Sequence, residues 1–490
     1  MNCHRLIYIP VLMVFLTVML GAPASRAANW RIVPRFMVNE SFTDNVTLSN
    51  RNAQEDFITQ VTPGLSIRGD GARLKINLDY NLQKLMYAKD SNRDSMNHQL
   101  QTDMTAELYK QVFFVDINSS ISQQLISTQG RISNSNINIT GNRADVMTYT
   151  ISPYIRHHFG GYADAEARLS LNQVINSATD TTGTVTNNAA STRSERTRFN
   201  MSSGRYFNRI PWTFSYSKNT VSSDRNFGSD TEFRSMEAQI SYVISRKYRL
   251  TSLIGDDQNT FSTSRGSNSG GRWEVGAIWT PSSRTTLEAR WGDRYFGRTF
   301  FIDASHTHRH FIFTAHYDEK TQSLNDIQSA QQLIPLVDAS GQPVFDPNVS
   351  SNIALVTDRP GLRNDVIVIK RLDINLDYSN RRNRATVGFY NSIRQGQGSN
   401  QNEDTTGLRF KFTRQLSRQT TGTVHGDWTQ STFQDGQRSD NRYGFGASLT
   451  RNLGQHLSGS VNYQYRVSDS SGGNNSYTEN RLSAFINIFY

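Results

Sequence analysis

Hydrophobic and polar residues alternate with a period of two over most of the chain. Leu74, Ile76, Leu78, Tyr80 and Leu82 interleave with Lys75, Asn77, Asp79, Asn81 and Gln83. Met236, Ala238, Ile240 and Tyr242 interleave with Ser235, Glu237, Gln239 and Ser241, and Val461, Tyr463, Tyr465 and Val467 with Asn462, Gln464 and Arg466. Successive side chains of a strand point to opposite faces, so each stretch has one apolar and one polar face. Helical periodicity is scarce.

Soluble sandwiches alternate too, so length and connections decide. The stretches run roughly 10 to 14 residues, enough for the tilted crossing of a bilayer. Tight turns at Asp70-Gly71, Phe159-Gly160-Gly161, Pro281 to Arg284, His308-Arg309, Asn380 to Asn383, Gln415 to Arg418 and Asn452 to Gln455 alternate with longer polar segments. Those segments are 88–97, 127–143, 175–193, 219–231, 256–270, 320–363, 395–404, 433–440 and 469–478. Short turns on one side and long loops on the other mark an outer-membrane barrel. Hydrophobic residues make up 36% of the chain, low for a large soluble core but sufficient for a barrel with one apolar face.

The reading is an all-β chain forming one transmembrane antiparallel barrel of about 22 strands, within a range of 18–22. Approximate spans are 30–48, 55–69, 73–87, 98–110, 112–126, 145–158, 162–174, 194–204, 211–218, 232–245 and 248–255. They continue as 271–280, 285–294, 298–306, 310–319, 364–378, 384–394, 405–414, 419–432, 441–451, 456–468 and 479–490. Even parity places both chain ends in the periplasm.

The two ends of the chain support export. Residues 1–27 read as a cleaved signal peptide: polar His4 and Arg5, an apolar run from Leu6 to Leu20, and Ser25-Arg26-Ala27 as a small-x-small cleavage site. The barrel is then 28–490. Tyr490 ends the chain, with Ile488, Ile486, Ala484 and Leu482 at alternate positions before it. That pattern resembles the C-terminal signal read by the barrel-assembly machinery, in which an exposed strand edge is available for pairing.

The mature N-terminal region carries Trp30-Arg31-Ile32-Val33-Pro34, then Glu40-Ser41-Phe42-Thr43-Asp44-Asn45-Val46. It continues with Ile58-Thr59-Gln60-Val61-Thr62-Pro63-Gly64-Leu65-Ser66-Ile67 and Leu78-Asp79-Tyr80-Asn81-Leu82-Gln83. With Ser305-His306-Thr307-His308 and the terminal strand, these resemble the outer-membrane β-barrel family associated with PEP-CTERM/exosortase systems of Gram-negative bacteria. The resemblance implies a link to exopolysaccharide production and surface sorting. It supplies no catalytic residues.

Charge adds a bias. Lys plus Arg number 52 against 42 Asp plus Glu, a net +10. Residues 1–27 hold Arg5 and Arg26 and no acids, which leaves +8, and residues 28–180 hold 14 basic and 15 acidic side chains. The excess therefore sits in 181–490. It suits acidic partners such as lipopolysaccharide phosphates or a polyanionic glycan, or else a mixed solvated surface. No nucleic-acid partner and no cofactor are expected. The single cysteine, Cys3, precedes the apolar run, so the mature chain has no disulfide and no thiol nucleophile.

Candidate chemistry is sparse. His306, His308 and His310 alternate, with His316 near, but a turn at His308-Arg309 would separate their directions. No Gly-x-Ser-x-Gly elbow stands in a strand–turn–helix context, and no enzyme activity is expected. The polar faces carry both signs, with Lys75, Asp79, Asp103, Glu107, Glu166, Arg168, Arg290, Arg409, Lys411 and Arg466 as lumen-facing candidates. Such a lumen suits a hydrophilic solute or a closed, salt-bridged interior.

The longest connection, 320–363, mixes Pro335, Pro343, Pro347 and Pro360 with Leu333, Ile334, Leu336 and Val337. It is expected to fold into or over the barrel, since barrels of 22 strands are plugged. The leading function is a pore or accessory component of polysaccharide export. The alternatives are a structural or adhesive barrel displaying loops such as 175–193, and a barrel enzyme. TonB-dependent receptors share the strand number but place a globular plug domain ahead of the first strand, and none is read before Trp30.

Overall fold

The computed structural model describes residues 29–177, 191–223, 230–264, 266–323, 366–398, 402–472 and 475–489. The expected signal peptide, residues 324–363 of the longest connection and Tyr490 lie outside the described residues. The described chain forms 22 strands. The first eleven are β1 Asn29–Thr43, β2 Asp56–Asp70, β3 Leu74–Tyr87, β4 Ser95–Tyr109, β5 Phe113–Leu125, β6 Arg143–His158, β7 Ala163–Ser177, β8 Thr192–Ser203, β9 Trp212–Ser223, β10 Thr231–Val243 and β11 Tyr248–Asn259. The rest are β12 Gly270–Ser282, β13 Thr285–Arg294, β14 Gly297–His308, β15 Phe311–Ser323, β16 Val366–Ser379, β17 Asn383–Gly396, β18 Asn402–Gln415, β19 Thr420–Phe433, β20 Arg438–Asn452, β21 Leu457–Ser470 and β22 Tyr477–Phe489.

Each strand pairs antiparallel with its neighbour in sequence, and β1 closes the ring on β22 from Arg35↔Phe489 to Thr43↔Arg481. At the seam the Ser41 and Ser483 hydroxyls share a hydrogen bond of 2.9 Å. Closure gives every strand a neighbour on both sides, the condition for a sheet to cross a bilayer. Pairing is shorter at the β14–β15 seam, where it covers Ile302–His308, and at the β1–β22 seam, where it begins at Arg35. No helix among the described residues is long and apolar enough to cross a membrane. The short-turn rim carries both Asn29 and Phe489 and is the periplasmic one.

Several boundaries differ from the expected ones, for one physical reason. Near the loop-bearing rim both faces of a strand meet water, so alternation fades while backbone pairing continues. β4 thus begins at Ser95 rather than 98, β9 runs to Ser223 rather than 218, and β15 continues through 320–323. β1 goes the other way and stops at Thr43 instead of 48. There the Asn45 amide accepts from the Ser49 N–H (2.9 Å) and donates to the carbonyls of Ser49 and Thr478 (2.9 Å each), fixing a turn. The length alternation of the connections also has exceptions. Tyr295-Phe296 is a two-residue turn on the long-loop rim, and 204–211 is a longer periplasmic connection containing a short 3-10 turn at Arg205–Phe207.

The outer face is apolar and open to lipid: Ile254 is 64% exposed, Met236 52% and Leu482 51%. Trp273 and Trp291 meet edge-to-face on it at 5.2 Å. The inner face is polar and tightly fitted. Tyr390, 1% exposed, lies flat across Gly407 and bonds the Thr429 hydroxyl at 3.0 Å. A Cβ at Gly407 would stand 2.4 Å from the Tyr390 ring, whereas one at Gly426 meets nothing nearer than 3.6 Å. Gly407→Ala is therefore expected to cost about 1–3 kcal/mol through overpacking, with Gly426→Ala near neutral. Urea unfolding of the barrel refolded in vesicles measures both, and equal midpoints would contradict the packing described.

Candidate functional site

The strand registers sort every side chain to one face. Arg35, Asn39, Ser41 and Thr43 share the inner face of β1, and Asp79, Asn81 and Gln83 that of β3. The ten lumen candidates all fall on the inner face. Their partners differ. Asp79 accepts from Arg35 at 2.9 Å and Arg68 at 2.5 Å. Glu166 accepts from Arg156 at 2.7 Å and Arg168 at 3.0 Å, and Arg168 also reaches Asp116 at 2.6 Å. Arg290 lies between Glu274 (3.6 Å) and Glu288 (3.3 Å), with its guanidinium 4.0 Å from the Phe301 ring centroid. Arg409 donates to the Asn375 amide oxygen at 2.9 Å, and Lys411 stands opposite His425 in the register. Lys75 is an exposed rim residue 3.7 Å from Asp70. Glu107 accepts from the Gln111 backbone N–H, and Asp103 pairs with Asn118 across β4 and β5.

The histidines do not converge. His306 meets the Thr285 hydroxyl (2.8 Å), His310 the Ser379 carbonyl (3.1 Å), and His316 the Asp303 carboxylate (3.0 Å). A recess of about 730 Å³ opens near the periplasmic rim, lined by Arg156, His158, Asp164, Glu166, Glu237 and Gln239 among others.

Among the described residues, the feature that most shapes the lumen is the β5–β6 connection, residues 126–142. It turns into the barrel near its extracellular mouth. Ile137 is fully buried in a small apolar cluster with Val46, Ile58, Leu85 and Tyr87, and Ile139 packs on the edge. Burying a side chain of that size stabilises by about 1.5–3 kcal/mol. Around this anchor the loop satisfies its polar groups on the barrel wall. Tyr87 donates to the Ile137 carbonyl at 2.8 Å, and Tyr477 donates to the Ile132 carbonyl at 2.6 Å. Asn138 donates to Glu479 at 2.7 Å, and Asn475 to the Gln129 carbonyl at 2.5 Å. Turned so that both groups are satisfied, the Asn134 amide oxygen accepts from both terminal nitrogens of Arg466 (2.8 and 2.6 Å).

The reach is long. Thr128 donates to Glu403 on β18 at 3.1 Å, which lies nine strand-to-strand steps from β5 around the wall through β1 and β22. The β11–β12 connection leans in as well: the Ser264 N–H meets the Gln397 carbonyl at 3.0 Å and the Thr263 hydroxyl its amide oxygen at 3.2 Å. Among the described residues, two connections thus lean across the mouth and narrow it.

Sequence reasoning passed over the β5–β6 connection as one polar loop, 127–143, among nine. The available signal was four isoleucines, Ile126, Ile132, Ile137 and Ile139, among Ser and Asn, since a solvated loop has no use for such spacing.

Comparison with known proteins agrees with this architecture. Residues 396–488 match the family described as "Putative beta-barrel porin 2". No curated protein matches the chain. Similar solved structures include the ferric-catecholate import receptor Fiu of E. coli K12, with a TM-score of 0.53 at 10% identity, covering 93% of this chain and 81% of that one. The ferric enterobactin receptor PfeA of Pseudomonas aeruginosa gives a TM-score of 0.51 at 10% identity, covering 95% and 82%. The FrpB iron transporter of Neisseria meningitidis gives 0.50 at 12% identity, covering 94% and 81%. At these identities the likeness is one of fold: a closed 22-stranded barrel of the outer-membrane kind.

Proposed function

We propose that this chain is an outer-membrane pore whose opening is set by its inward loop. We further propose that it serves as a conduit or accessory component of exopolysaccharide export and surface assembly linked to a PEP-CTERM/exosortase system. The observation that carries the pore reading is the kind of obstruction in the lumen. Loop 126–142 is held by two small apolar clusters, one around Ile137 and one around Ile126, and by scattered hydrogen bonds to the wall, with no ladder pairing of its own to a strand. Such a tether can open without unfolding the barrel, because local openings draw on far less free energy than global unfolding. The polar, ion-paired inner face supports passage of a hydrophilic solute. The resemblance of the N-terminal region to exosortase-associated barrels supports the export context.

In this reading the lipid and lipopolysaccharide of the outer membrane surround the apolar face. Leu482, Ala484, Ile486 and Ile488, with Tyr490, form the segment read by the barrel-assembly machinery. No catalytic role is proposed. A clean deletion of the gene, with assay of secreted and cell-retained polysaccharide, tests the export role. Loss of the secreted fraction with retention in the periplasm is expected, and normal secretion would sink it.

A further inference from the structure

We propose that the wall formed by β17–β22 is an anion track, a stripe of cations along which a carboxylate- or phosphate-bearing hydrophilic solute moves. The proposal rests on the pore reading and adds the chemistry of the cargo.

The lumen is unevenly charged. On β10–β13 the inner face is balanced, four basic against four acidic side chains. There Arg272 joins Glu237 and Glu274 (2.8 and 2.7 Å), and Arg294 joins Asp257 (2.7 Å). The wall of β17–β22 is different. Arg394 pairs with Glu403 (3.2 Å) and Arg438 with Asp440 (2.6 Å). Arg466 reaches Asp427 at 4.0 Å. In all, the inner faces of those six strands carry eight basic side chains, adding Arg384, Arg409, Lys411, Arg442 and Arg481, against four acidic ones, Glu403, Asp427, Asp440 and Glu479. Glu479 is further engaged by Thr43 (2.8 Å) and by Asn138 of the loop (2.7 Å).

The cations are ordered by height. Arg384 stands at the periplasmic rim opposite Thr413, and Lys411 and then Arg409 follow at steps of two residues, about 7 Å each. Arg466 lies three strands along the same rung from Arg409, through Asp427 and Gly444, and Arg442 is two residues from Gly444 toward the loop-bearing rim. The stripe therefore climbs from the rim to the point where Arg466 meets Asn134 of the inward loop.

Two glycines keep the stripe clear. A Cβ at Gly388 would stand 2.4 Å from Arg409 Nε, and one at Gly444 2.4 Å from Asp427 Oδ1. Both charged groups thus lie down on bare backbone instead of projecting across the lumen. Rings and rows of Arg and Lys select anions.

Reversal potentials in a KCl gradient test this, using the full barrel and an Ile137→Asp variant whose loop is expelled, both in planar bilayers. Chloride is expected to be preferred over potassium. The double substitution Arg409→Gln/Lys411→Gln is expected to lower that preference by roughly threefold, while Arg409→Lys leaves it in place. In separate arms, block of the current by trigalacturonate would assign a carboxylated glycan, and block by inorganic phosphate a phosphate-bearing solute. Potassium preference, a ratio unmoved by the double substitution, or block by neither anion overturns the track. Absence of conductance in both proteins, each verified as folded by heat-modifiable mobility, would overturn the pore reading beneath it.

Discussion

Replacing residues 128–140 by a three-residue Gly-Ser-Gly bridge is expected to raise single-channel conductance roughly threefold or more, because it removes the segment that spans the mouth of a wide barrel. The point variant Ile137→Asp should act in the same direction. Ile137 is fully buried with Val46, Ile58, Leu85 and Tyr87. A carboxylate there has no cation to meet within the cluster, and leaving it buried is far more costly than exposing the loop to water. The variant leaves every strand intact, so its effect reports on the loop and not on the wall. Unchanged conductance in both proteins, with normal heat-modifiable mobility, would mean that 126–142 does not bound the conducting path.

The second large effect concerns the lipid face. Ile254→Arg is expected to destabilise the folded barrel by about 2–4 kcal/mol, the range for Arg facing lipid near the midplane. Ile254 is 64% exposed on the outer face at the middle of β11, and its register partner is Ala238. Gln239, one residue along β10, faces the lumen at the same height and bonds the Thr251 hydroxyl at 3.0 Å. Gln239→Arg places the same group in a polar environment, where a change within about 1 kcal/mol is expected. Urea titration of the two variants refolded in vesicles measures the difference. Similar losses for both would show that the outer face of β11 does not meet lipid.

Much of this fold was legible in the sequence because one rule, alternation, governs every membrane-crossing stretch. Leu74 to Gln83 and Val461 to Val467 announce their faces residue by residue. The closed 22-stranded antiparallel ring follows from long strands and connections of alternating length. The rule weakens where both faces are wet, which is why Ser95, Ser223 and Ser323 lie in strands beyond the expected limits. It fails at Asn45, where a side chain captures the backbone and ends β1 early.

The contents of the lumen were far less readable. A period of two gives the face of Asp79 or Arg290 but not the partner it meets two or three strands away. The fold-in of 126–142 depends on contacts as distant in sequence as Thr128 with Glu403 and Tyr477 with Ile132. Local pattern contains no such information. The excess of cations in the second half of the chain was visible as a number. Its concentration on one wall required the registers of β17–β22, because strands that share a wall are separated by loops that carry charges of their own.

The position of the loop inside the barrel is the claim on which the pore account turns, and it can be measured directly. The only native cysteine is Cys3, so Thr128→Cys with Glu403→Cys introduces a single reactive pair, at side chains 3.1 Å apart. Treatment of intact cells or refolded barrel with a short bis-maleimide is expected to join the two thiols and to protect Cys at 128 from a bulky impermeant reagent. No cross-link, together with free labelling at 128 by that reagent, would place the loop outside the barrel and contradict the account.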